Sequence, residues 1–186
     1  MHKSLRSFAK PQVLTLMAIL IALQVVTRFL TINVFPWLRI SFTFLPIAAA
    51  SMLLGPVPGA LVGGLGDVVG FFAFPTGGSY FPGFTVTNVV MGLVYGLFLH
   101  GAYKEFAFTG KASWIRLLAC ELLVTVLCYL LLNTIWLTML QGKAFIAIFP
   151  ARLVKNIAQL PVNVLLLMET GLFFKRLPAS MRGFES

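Results

Sequence analysis

Six apolar runs, separated by clusters of glycine, proline and charge, order this chain. Read as helices, they cover Gln12 to Leu30, Phe42 to Leu54, Pro58 to Phe74, Phe84 to Tyr103, Ser113 to Leu140 and Ile148 to Phe174. A hydrocarbon layer about 30 Å thick takes about 20 helical residues, so five of the six are long enough to cross it. The second run is short, which makes it either a partial span or one that a bend at Pro46 extends into the preceding loop. Gly55-Pro56-Val57-Pro58-Gly59 marks a tight hairpin, and Pro75 to Gly83 a longer loop. There is no internal repeat, no low-complexity tract and no second domain.

Composition sharpens this into a class. The chain is 59% hydrophobic and only 10% charged, with a mean hydropathy of +0.96. Its exterior therefore suits hydrocarbon, and the fold expected is an all-α integral membrane protein, a bundle of six transmembrane helices. Residues 1–11 form an N-terminal segment, 12–174 the membrane domain and 175–186 a tail. The basic start followed by an apolar stretch has the look of a signal peptide. The run from Val13 is too long for one and lacks a small-x-small cleavage pattern, so it reads as a retained first helix. Cys120 and Cys128 lie eight positions apart on one helix, too far to bridge, and are expected to be buried free thiols.

Charge sets the orientation. With both termini in the cytoplasm, nine cations lie inside (Lys3, Arg6, Lys10, Lys104, Lys111, Arg116, Lys175, Arg176, Arg182) and five outside (Arg28, Arg39, Lys143, Arg152, Lys155). The net charge of +9 then reflects topology and anionic lipid, and no nucleic-acid partner is needed. Among the acids, only Asp67 lies within reach of the outer cations. Glu105, Glu121, Glu169 and Glu185 fall in cytoplasmic regions or inner helix halves.

Unmatched positive charge near hydrocarbon has two outlets: it snorkels to the headgroups, or it faces a polar cavity. Arg28, Arg39 and Arg152 suit the second outlet if the occupant carries carboxylates, which a guanidinium grips with two parallel bonds. Asn88, Asn133 and Asn156 place amides at similar depth, with Trp136 three residues after Asn133 and Asn156 four after Arg152, on shared faces. Trp37, Phe81 and Phe84 offer flat walls to a planar ring. Each has a plainer reading, in which the Asn residues bond between helices and the aromatics anchor at the interface. Asp67, in Gly63-Gly64-Leu65-Gly66-Asp67, either pairs with an arginine of another helix or accepts hydrogen bonds from an amino-substituted heterocycle.

These residues resemble a family, the vitamin-binding S components of energy-coupling factor (ECF) transporters, and within it the folate-specific branch. The resemblance runs over nearly the whole chain. It is carried by Leu38 to Pro46, Gly63 to Asp67, Phe74 to Thr85, Leu132-Asn133-Thr134-Ile135-Trp136 and Ala151 to Asn156, of which the glycine-proline-rich loop and the Leu-Asn-Thr-Ile-Trp run are the more specific. It implies a vitamin site open to the outside, and a cell-membrane protein of prokaryotic type that binds folate and docks on a transmembrane coupling subunit carrying two ATPases. No cofactor or metal of its own is expected, since ATP is used by the partner subunits. The family's docking surface includes an alanine pair four residues apart on the first helix, and Ala18 and Ala22 match it. Folate in turn suits the candidate residues: its rings want aromatic walls, its pterin edge wants amides and a carboxylate, and its glutamyl tail brings two negative charges.

Other classes fit less well. An S component for pantothenate or another small acid needs less aromatic surface. An enzyme needs a catalytic set, and His2 and His100 belong to no zinc pattern. No Gly-x-x-x-x-Gly-Lys-Ser/Thr loop supports an ATP-driven pump. A ligand-free scaffold leaves the outer cations unexplained.

Overall fold

The structure, a computed structural model, describes residues 11–28, 32–35, 38–73, 80–106, 110–142 and 145–176. Its helices are α1 (Pro11–Thr27), α2 (Phe44–Leu54), α3 (Pro56–Ala73), α4 (Pro82–Leu99), α5 (Lys111–Val124), α6 (Asn133–Gln141) and α7 (Phe145–Arg176). Between α5 and α6 the chain stays helical but is π-wound over Thr125–Leu132, so the three pieces make one continuous rod. Among the described residues four rods are long and apolar enough to cross a membrane: Pro56–Ala73, Pro82–Leu99, Lys111–Leu140 and Arg152–Arg176. α1 and α2 are shorter apolar helices.

One open alternative of the sequence reading is decided here, for the partial span, and one expectation is amended. α2 begins at Phe44 and spans 11 residues, about 16 Å at 1.5 Å per residue, which is half a hydrocarbon layer. Pro46 falls in its first turn, where the missing N–H has no helical partner to lose, so no bend lengthens it. The all-α description also needs one amendment. The segment between α1 and α2, read as loop, carries an antiparallel ribbon of β1 (Ile32–Phe35) and β2 (Leu38–Ile40), with Asn33 opposite Arg39.

Glycine governs how the first half packs. Gly55 takes φ +99 at the end of α2, a left-handed conformation that favours a residue without Cβ, and Pro56 then opens α3. A Cβ at Gly92 of α4 would overlap the Gly59 carbonyl of α3, so these helices meet backbone to backbone. Ser51 of α2 closes the contact by donating to the Gly92 carbonyl at 2.9 Å.

Larger side chains fill two cores. Phe44, Met52, Tyr95, Leu117 and Leu167 meet in the main core, and Val13, Met17, Leu20 and Val62 fill a smaller one behind α1. Cys120 and Cys128 are buried free thiols in the main core. The outward faces carry exposed Leu14, Ile19, Phe72, Leu97 and Ile115, which suits contact with lipid tails.

Candidate functional site

A cavity of about 220 Å³ opens between the start of α2, the middle of α4, the π segment and the N-terminal half of α7. Asn88 and Met91 reach it from α4, Tyr129 and Asn133 from the long rod, and Arg152, Lys155, Asn156 and Gln159 from α7. Ser41 and Thr43 close the remaining side, their hydroxyls 3.0 Å apart. Helical spacing explains the set: Arg152, Lys155, Asn156 and Gln159 fall at i, i+3, i+4 and i+7, one stripe of α7. Among the described residues the lining holds two cations, three carboxamides from Asn and one from Gln, and no acid.

Two of these amides are incompletely used. Asn133 Oδ1 and Asn156 Nδ2 are buried and have no hydrogen-bond partner among the described residues. A buried polar atom left alone is costly, so two residues that line one cavity and keep an acceptor and a donor unspent are natural partners for a ligand edge once their amides turn toward it. Arg152 is held differently. Its Nη1 donates to the Tyr129 carbonyl at 3.3 Å. That acceptor comes from the π winding: the last i→i+5 bond runs from Asn133 N–H to the Cys128 carbonyl, and a return to i→i+4 pairing leaves over the next carbonyl, that of Tyr129.

The other sequence candidates take different places. Arg28 and Asp67 form an ion pair with each other, as the plainer reading of Asp67 has it, and neither lines the cavity. Arg28 also donates to the Asp67 carbonyl at 3.3 Å, Thr85 donates to the second carboxylate oxygen at 2.6 Å, and Tyr80 lies 2.7 Å from Thr85 Oγ1. The result is a polar chain from α1 through α3 to α4 and the residues before it. The Phe81 ring lies 5.9 Å from that of Phe84 and 5.7 Å from that of Trp136, centroid to centroid, and Trp136 Nε1 donates to Thr87 Oγ1 at 3.1 Å. This cluster joins α4 to α6 beside the cavity without lining it. Arg39 sits in β2, two residues before Ser41, and Trp37 lies outside the described residues. Ala18 and Ala22 are both exposed on α1, away from the buried face of Val13, Met17, Leu20 and Gln24.

The site therefore gathers Asn88, Asn133, Arg152 and Asn156, and adds Ser41, Thr43, Met91, Tyr129, Lys155 and Gln159. The i, i+3, i+4, i+7 stripe begun by Arg152 and Asn156 is the signal that could have found Lys155 and Gln159. Nothing in the sequence marks a π turn, so the place of Tyr129 was not readable.

Residues 12–169 match the family model described as "ECF transporter, substrate-specific component". The chain is 40% identical to "Folate transporter FolT" of Clostridium novyi over 159 residues, covering 85% of this chain and 87% of that one. It is 31% identical to the protein of the same name from Leuconostoc mesenteroides over 175 residues, covering 88% and 89%. A solved structure described as "Crystal structure of FolT bound with folic acid" superposes with a TM-score of 0.73 at 33% identity, over 87% of this chain and 95% of that one.

Proposed function

Because the chain belongs to the substrate-specific components of ECF transporters, we propose that it is the folate-binding subunit of such an importer and that the cavity between α2, α4, the π segment and α7 is where the vitamin binds. The observation that carries the site is its lining: two cations, a cluster of amides with one acceptor and one donor unpartnered, and no acid. Arg152 and Lys155 suit the two carboxylates of the glutamyl tail, and Asn88, Asn133 and Asn156 suit the pterin edge. Phe81, Phe84 and Trp136 wall the approach. Arg28 and Asp67 act by bracing α1 against α3, with Arg39 at the ribbon that leads into the site.

Both termini lie in the cytoplasm on this reading, with nine cations inside and five outside. The protein works in the cell membrane as a non-enzymatic binding subunit without cofactor or metal, and uses ATP only through its partners. Ala18 and Ala22 provide a flat, exposed strip on α1 for the coupling subunit of the ATPase module.

The test is folate titration of the purified chain by tryptophan fluorescence, against Arg152→Ala and a panel with pantothenate. A charge-assisted hydrogen bond contributes about 1.5–3 kcal/mol, so the variant should bind folate about 10- to 100-fold more weakly. Unchanged folate affinity in the variant removes Arg152 from the site, and tighter binding of pantothenate than of folate refutes the assignment of cargo.

A further inference from the structure

Glu121 is fully buried in α5, yet it is an acid inside a membrane rod and plays no part in the cavity. Its two carboxylate oxygens accept from two other helices: Tyr95 of α4 donates to Oε2 at 2.8 Å, and Asn163 of α7 donates to Oε1 at 2.7 Å. Tyr95 is 0% and Asn163 2% exposed.

The three helices that meet at Glu121 are the same three that supply the cavity amides, and in matching phase. Tyr95 follows Asn88 by seven residues, and Asn163 follows Asn156 by seven, which is close to two turns and returns each residue to the same face about 10 Å along the helix. Glu121 and Asn133 are twelve apart, which in an uninterrupted α-helix leaves them about 120° out of phase. The π segment absorbs one residue between them, so the path turns like eleven residues, close to three full turns. The bundle thus has two polar clusters on common faces, one of Asn88, Asn133 and Asn156 at the cavity and a closed one of Tyr95, Glu121 and Asn163, about two turns apart on α4 and α7 and about three on the rod. Met91 and Tyr129 form the floor between them, with the Tyr129 hydroxyl 3.8 Å from Met91 Sδ.

We propose that Tyr95, Glu121 and Asn163 are positioning residues for ligand binding, which lock the rotation of α4 and α7 against the long rod and so fix where the cavity amides stand. This rests on the reading that the cavity above them holds folate. A carboxylate held by one donor from each neighbour tolerates little rotation, because turning either helix leaves a polar atom unpaired in a core with no water to replace it. Asn163 Oδ1, buried and without a partner among the described residues, gives the cluster a spare acceptor. A glutamine at position 121 can use it. With the new amide oxygen toward Tyr95, a half-turn of the Asn163 amide presents Oδ1 to the new N–H, and both helix contacts persist.

The experiment measures folate Kd on the full chain in detergent, well below the unfolding temperature, alongside ligand-free thermal unfolding. Glu121→Gln should bind folate within about threefold of wild type, Tyr95→Phe about 3- to 10-fold more weakly, and Glu121→Leu about 30-fold more weakly, as expected where displaced amides lose one or two hydrogen bonds to the ligand. A purely structural role lowers the unfolding temperature and leaves Kd unchanged in the folded protein, and that result in Tyr95→Phe overturns the proposal even if Glu121→Leu does not fold. Asn156→Ala separates the two readings. Weakened binding there with wild-type Kd in Tyr95→Phe sinks the positioning role alone, whereas wild-type Kd in Asn156→Ala sinks the cavity assignment and the positioning role with it.

Discussion

Removing the Asp67 carboxylate should destabilise the bundle through α1. In the folded chain the Arg28 guanidinium lies over Gly70, whose missing side chain makes the room, and Asp67 is the acid paired with it. Breaking a buried pair by deleting one partner costs about 3–5 kcal/mol, and an exposed one about 0–1 kcal/mol. The two side chains are 23% and 9% exposed, between those limits, which puts Asp67→Ala at about 2–3 kcal/mol. For a chain of 186 residues each kcal/mol moves the unfolding midpoint by about 2–4 °C, so the shift should be about 5–10 °C. The assay is thermal unfolding in detergent for Arg28→Met, Asp67→Ala and the double variant. The neutral methionine keeps most of the stem packing, so the double variant should recover about 1–2 kcal/mol relative to the sum of the singles. A coupling below about 0.5 kcal/mol, or an Asp67→Ala midpoint within 2 °C of wild type, refutes the bracing role assigned to this pair.

Two further outcomes follow from packing. Gly92→Ala should lower the unfolding midpoint sharply or prevent folding, because the added methyl meets the Gly59 backbone and no flexible side chain can yield; a midpoint within 2 °C of wild type in the same unfolding assay would show that α3 and α4 are further apart than described. Ala18→Trp with Ala22→Trp should leave folate affinity intact and abolish co-purification with the coupling subunit, since both positions are exposed and far from the cavity stripe.

Much of this architecture was legible because a membrane chain writes its helices as apolar runs. The same property hid the rest. With nearly every position apolar, hydrophobic periodicity says little about which face is buried, and only the rare polar residues carry that information. Asn88 and Asn133 could be matched by depth, and Arg152 and Asn156 by their spacing of four, and all four line one cavity. Arg28 and Asp67 drew the same argument, yet they satisfy each other across the glycine face of α3, a contact set by the absence of side chains. Glu121 was placed with the inner acids from its depth along the helix, and its partners, one tyrosine and one asparagine 26 and 42 residues away, leave no local signature. The ribbon of Ile32–Phe35 and Leu38–Ile40 leaves little mark in the sequence, because two short strands pairing only with each other give too little alternation to register.

The π segment leaves the rod from Lys111 to Gln141 one amino acid longer than the distance it covers. A gap of one placed between 125 and 132 when this stretch is aligned with a regularly wound relative therefore keeps both ends in correspondence, and an ungapped alignment mispairs everything on one side. A shortened gene lacking the codon for lipid-facing Val126 should still stack Asn133 above Glu121, while taking away the carbonyl on which Arg152 rests.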